Sequence, residues 1–143
     1  MIKPDGVGRR LAGQVISRYE SKGLKLVGLK MQVIPQSLAE HHYSEHRGKS
    51  FYEALIAFIT SGPSIQMVWE GLNAVTVARK LNGATDSQDA EFGTIRGDFG
   101  MTVRNNIVHA SDSPQTAARE IALYFDPQEL LDYTMPDSRW LEA

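Results

Sequence analysis

The stretch Asn106-Ile107-Val108-His109-Ala110-Ser111-Asp112-Ser113-Pro114 constrains the fold more than any other. Two β-branched residues lead into a histidine. Small polar residues follow, then a proline that opens a helical pattern. This reads as a strand end, a tight turn and a helix start, with Ser113 as N-cap and Pro114 as first helical residue. The free N–H groups of such a terminus favour anions. An imidazole placed there can serve as nucleophile or base toward phosphate or carboxylate. A histidine after two β-branched residues also fits a purely structural role, so the rest of the chain must decide.

The remaining elements predict an α+β layout. Met1 to Lys3 reads as a strand end, and Lys3 to Gly8 as a loop broken by proline and glycine. Ala12 to Lys22 has helical spacing and stops at Gly23. Leu24 to Ile34 alternates as a strand does. Capping-box patterns, Ser37 with Glu40 and Ser50 with Glu53, predict helices over Leu38–His46 and Phe51–Thr60. Ser64 to Glu70 predicts a strand around Met67-Val68-Trp69. Asn73 predicts the cap of a helix running to Leu81, closed by Gly83. Ala84 to Gly100 has no clean period and reads as a long loop of the kind that is either functional or disordered. A helix over Pro114–Tyr124 follows, then a tail with one helical turn near Glu129-Leu130-Leu131. Four strands interleaved with helices predict a ferredoxin-like sandwich: a four-stranded antiparallel sheet covered by helices, forming a single domain over residues 1–143.

Composition narrows the function. Hydrophobic residues make up 42% of 143 residues, enough to build a core without staples. There is no cysteine, which excludes disulfides and thiolate metal sites. Fifteen basic against seventeen acidic residues leave a net charge of −2, so no bulk field attracts nucleic acid or anionic membrane. No apolar run is long enough to span a bilayer, and no signal-peptide core is present. A cytoplasmic location is expected.

Neither common phosphate cradle, GxxxxGK[ST] or GxGxxG, occurs in the chain. Four cations stand apart: Lys3, Arg79, Arg96 and Arg104. Arginine forks suit bidentate phosphate binding, although a solvated surface charge is the commoner meaning of each taken alone. His42-Tyr43-Ser44-Glu45-His46 matches the HxxEH zinc-peptidase pattern, with His42 and His46 on one helix face. No third ligand is marked downstream. Arg96-Gly97-Asp98 predicts a tight turn.

Taken together, the chain resembles the nucleoside diphosphate kinases. The blocks that carry the likeness are Lys3-Pro4-Asp5-Gly6-Val7; His42-Tyr43 with Glu45-His46 and Phe51; Ser61-Gly62-Pro63; and Met67-Val68-Trp69-Glu70-Gly71. Gly93-Thr94-Ile95-Arg96-Gly97-Asp98-Phe99 and Asn106-Ile107-Val108-His109-Ala110-Ser111-Asp112 complete the series. The resemblance implies transfer of a γ-phosphoryl group from a nucleoside triphosphate to a nucleoside diphosphate, by a ping-pong route through phospho-His109. It implies that Glu120 holds the second ring nitrogen, supported by Ser111. Lys3 and Asn106 would meet sugar hydroxyls and phosphates. Tyr43, His46, Arg79, Thr85 and Arg96 would lie on the phosphate side, and Phe51 would stack on the base with low base selectivity. Mg²⁺ would bridge the phosphates.

The resemblance also implies a homo-oligomer. The tail Asp132-Tyr133-Thr134 to Trp140-Leu141-Glu142 favours a hexamer, with a tetramer as the other form. Three departures stand out. Only Met1 and Ile2 precede Lys3, where the family has a longer strand. Ala110 stands where glycine is commoner, and Ser50 and Phe92 replace prolines. The alternatives are a non-catalytic nucleotide-binding relative and an HxxEH zinc peptidase built on His42, Glu45 and His46.

Overall fold

A computed structural model describes residues 1–141. In chain order it shows α1 (Pro4–Gly8), α2 (Ala12–Ser21), β1 (Lys25–Val33) and α3 (Gln36–His42). A 3-10 turn (Ser44–His46), α4 (Tyr52–Ile59), β2 (Pro63–Glu70), α5 (Ala74–Asn82) and α6 (Ile95–Phe99) come next. Then follow α7 (Pro114–Tyr124), a second 3-10 turn (Pro127–Glu129) and α8 (Ser138–Leu141). The α+β layout holds.

The sheet is smaller than the expected four strands. β1 and β2 pair antiparallel from Lys25 opposite Glu70 to Val33 opposite Pro63, with an irregularity between Leu26 and Gly28. Ile2 extends the pairing by single bridges, to Ile65 on one side and Val108 on the other. Among the described residues, the regular sheet is these two strands. The segment before His109 does not run as a regular strand because Ile107 has φ +71°. A β-branched residue in that region is an outlier that its surroundings must hold in place.

β2 sorts its side chains by the period of two. Val68 joins a core with Val27, Ile34, Tyr52, Ile56, Ile59, Tyr124 and Phe125. Ile65, Met67 and Trp69 pack with Ile2, Leu11, Val15, Tyr19, Ile95, Ile107 and Val108. The helices feed these cores through their periods. α2 buries Val15 and Tyr19, α4 buries Tyr52, Ile56 and Ile59, and α7 buries Glu120 and Tyr124. Spacings of three and four place such residues on one face. Gly23, at φ +93°, ends α2 in a conformation that side chains resist.

Local expectations fare unevenly. α7 begins as expected: the Ser113 hydroxyl accepts the Thr116 N–H at 3.1 Å, and Pro114 follows it. Residues 4–8 form a short helix instead of a loop, because Pro4 can occupy a first helical turn. Neither capping box forms. Pro35 and Phe51 hold the N-cap positions, and Ser37 lies inside α3. Asn73 is the N-cap of α5, but in a left-handed conformation without a side-chain cap bond. The long loop is partly helical. Thr94 caps α6 by accepting the Gly97 N–H at 3.0 Å, so Arg96-Gly97-Asp98 is helix and not turn. Trp140 belongs to α8, whereas Glu142 lies outside the described residues.

Candidate active site

A cleft of about 530 Å³ gathers the residues that the sequence marks one by one. Lys3, Tyr43, His46, Phe51, Arg79, Thr85, Arg96, Asn106, His109 and Glu120 all line it. Ser111 stands behind the wall and reaches Glu120 from there.

At its centre, His109 Nε2 lies 2.9 Å from Glu120 Oε2. The Ser111 hydroxyl donates to the same oxygen at 2.6 Å. Burial holds Glu120 back from ionising, yet the bonds from His109 and Ser111 outweigh it and keep its carboxyl at about 2. Glu120 is therefore a carboxylate, and His109 Nε2 donates to it. Burial also pushes the His109 imidazolium below its ordinary range, against the pull of Glu120. The neutral ring then carries its lone pair on Nδ1, as a nucleophile requires.

Behind this pair sits His42. Its ring meets the His109 ring edge-on at 4.8 Å, and its Nδ1 lies 2.8 Å from the Tyr124 hydroxyl. Its Nε2 faces Glu120 Oε1 at 3.5 Å, too long for a hydrogen bond, and is buried without a partner among the described residues. Burial, reinforced by His109, lowers His42 to about 3, so the ring is neutral.

Cations line the same cleft. Lys3 is buried, and its Nζ donates to Asn106 Oδ1 at 2.5 Å. Burial first, then Arg96, brings its pKa down to about 8. Arg96 donates from Nη2 to the Val108 carbonyl at 2.7 Å, from Nη1 to Gly83 at 2.9 Å and from Nε to Asn106 at 3.3 Å. It thus clamps both sides of Ile107. Asp5 accepts the Ile107 N–H at 3.1 Å and completes the grip. Arg79 reaches toward the Ala110 carbonyl at 3.5 Å. Asn106 ties the Thr85 carbonyl in by a 2.8 Å bond.

At the outer end, Phe51 is half exposed, and the His46 ring sits edge-on to it at 5.5 Å. The Tyr43 hydroxyl is buried with no partner among the described residues, and burial keeps it a neutral phenol. It remains a donor for whatever fills the cleft.

The structure does not assemble the HxxEH zinc set. The helix breaks at Tyr43 into a 3-10 turn, which destroys the shared face. His42 turns inward to Tyr124, His46 turns to Lys49, and Glu45 pairs with Arg119 at 3.7 Å. Sequence reading left Arg104 without a place, and it lines the cleft. It passed over Thr116 and Arg119, which also do. Thr116 stands four residues before Glu120 on α7, a spacing that could have found it; Arg119, next to Glu120 in sequence, carries no such signal. For His42 beside His109, the sequence carries no such signal.

A cleft that holds a carboxylate-oriented histidine together with lysine and arginine suits phosphoryl transfer. A family model described as nucleoside diphosphate kinase matches residues 1–130. A nucleoside diphosphate kinase of Desulfitobacterium hafniense is 54% identical over 141 residues, covering 99% of this chain and 95% of the relative. One from Archaeoglobus fulgidus is 55% identical over 141 residues, covering 99% and 93%. The solved structure of a halophilic nucleoside diphosphate kinase from Halobacterium salinarum in complex with CDP superposes with a TM-score of 0.98 at 49% identity, covering 99% and 95%. The chain belongs to the nucleoside diphosphate kinase family. It is an enzyme that transfers the γ-phosphoryl group of a nucleoside triphosphate to a nucleoside diphosphate.

Proposed function

We propose that His109 carries the phosphoryl group between donor and acceptor. The observation that supports this most is the hydrogen bond from His109 Nε2 to Glu120, which leaves Nδ1 for attack in a cation-lined cleft. Nδ1 forms a bond to the γ-phosphorus while the bond to the bridging oxygen breaks and the nucleoside diphosphate leaves. A second nucleoside diphosphate then reverses the step. Glu120 stabilises the positive charge that develops on the ring. Ser111 fixes that carboxylate. Lys3, Arg79 and Arg96 offset phosphate charge, and Tyr43, His46, Thr85 and Asn106 position the polyphosphate and sugar. Phe51 supplies a stacking face that every base can use, so base selectivity is low.

Mg²⁺ is the cofactor that fits. Glu45, Asp112 and Glu120 are the acidic residues at the cleft among the described residues, and the Oε2 oxygen of Glu120 is already held by His109 and Ser111. Such a donor set suits an ion that arrives on substrate phosphates and keeps most of its waters. When bound, it neutralises charge on the transferring phosphates.

The wider assignments are proposals of the same standing. Residues 1–143 form one domain of ferredoxin-like type, in which the bridges at Ile2 and Val108 stand for the two short strands. The enzyme is a cytoplasmic homo-oligomer, a hexamer ahead of a tetramer. Leu29, Met31 and Val33 are exposed on β1, which supports burial against another copy. No helix among the described residues is long and apolar enough to cross a membrane.

His109→Ala tests the central role. Turnover is expected to vanish while nucleotide binding persists by calorimetry. Retained turnover would refute the assignment.

A further inference from the structure

We propose that His42, His109 and Glu120 form a binding site for a borderline transition-metal dication of the zinc class, separate from the Mg²⁺ that accompanies substrate. One ligand atom from each of the three lies within 4.8 Å of the others. The His42 side chain is 2% exposed, and its Nε2 is an unpartnered buried nitrogen aimed at Glu120 Oε1. An orphaned buried donor atom asks for a partner.

The chemistry of the set selects the ion. Two imidazoles and one carboxylate suit zinc or cobalt, whereas Mg²⁺ prefers oxygen. Bonds of about 2.0–2.2 Å to each ligand require the three atoms, now within 4.8 Å of one another, to close in around the ion. The supporting shell already exists. The Tyr124 oxygen, 2.8 Å from His42 Nδ1, can hold a proton on that nitrogen and leave Nε2 for the metal. Ser111 steadies Glu120 at 2.6 Å. The His109 side chain is 25% exposed, which gives an entry path and a fourth coordination position toward the cleft.

Occupancy has a defined consequence. The metal takes the lone pair of His109 Nε2, and the proton now on Nε2 moves to Nδ1. Nδ1 then has no lone pair with which to attack phosphorus. Metal binding and phosphorylation of His109 exclude each other. This last step rests on the role proposed for His109, and the site itself does not.

Cobalt titration without nucleotide tests the site, because tetrahedral Co²⁺ absorbs strongly in the visible and octahedral Co²⁺ does not. The native enzyme is expected to give tetrahedral bands at about one ion per chain, displaced by Zn²⁺. His42→Asn and His109→Asn should each abolish the bands, and Tyr124→Phe should weaken binding about tenfold or more. Should His42→Asn fail to fold, as read by circular dichroism, His109→Asn decides. Only weak octahedral bands in the native enzyme, or bands that survive in the folded histidine variant, would overturn the site. Zinc-loaded enzyme mixed with labelled ATP should acquire no phosphate until the metal is chelated. Equal labelling with and without bound zinc would overturn the exclusion. Tetrahedral bands in an enzyme whose phosphate sits elsewhere would uphold the site and refute the role of His109.

Discussion

Glu120 does two jobs for one imidazole: it fixes the tautomer, and it raises the pKa that burial lowers. The two effects separate in Glu120→Gln. The amide can still accept the Nε2 proton, but the charge that favours imidazolium is gone. The acid limb of the kcat/KM profile is therefore expected to move to lower pH while the maximum rate falls. A limb that stays put or moves up would contradict the geometry. Phe51 makes a simpler case. Phe51→Ala should weaken every nucleoside diphosphate by about 1–3 kcal/mol in titration calorimetry, the range for base stacking. Loss confined to one base would show that another group reads it. At this scale the sequence was legible through family blocks. Four of the six blocks carry site residues, but none showed that His42 backs His109, since a buried ring-to-ring contact leaves no spacing pattern.

Between the elements, the feature that holds the site is the clamp on Ile107. α6 supplies Arg96 and α1 supplies Asp5, and together they secure a backbone turn that a β-branched residue disfavours. Arg96→Lys keeps the charge but cannot span three carbonyls. Unfolding in urea is expected to show a loss of about 2–3 kcal/mol, since buried acceptors lose charged donors. An unchanged midpoint would mean that the clamp contributes nothing. Periodic elements were readable: α2, α5, α7, β1 and β2 fall close to their expected spans. α1 and α6 were not, because their stability comes from packing and capping contacts and not from an amphipathic period. The expected strand before His109 shortens to a single bridge at Val108 for a related reason. Local β propensity yields where tertiary bonds impose another backbone angle.

Across the whole molecule, the buried titratable groups set the acid limit. His42 is held down from an ordinary 6.5 to about 3, by burial and then by His109. Below about pH 6.5 the unfolded chain binds a proton that the folded chain refuses, so stability falls with pH by about 1.4 kcal/mol per unit. Burial opposes ionisation of Glu120, but its bonds to His109 and Ser111 prevail and hold it at about 2 from an ordinary 4.5. Its stabilisation is full above 4.5 and lost as pH falls toward 2, which steepens the same decline. Denaturation midpoints at stepped pH are expected to drop from about 6.5 downward, with a shallower slope between 6.5 and 4.5 in His42→Asn. An unchanged slope in that variant would remove His42 from the account.

The central claim is a covalent one, so the most direct measurement is of the bond itself. Enzyme mixed with ATP labelled in the γ-phosphoryl group, then digested and mapped, should carry label on His109 in a form that acid releases and base preserves. Label that resists acid, or that maps to another residue, would contradict it.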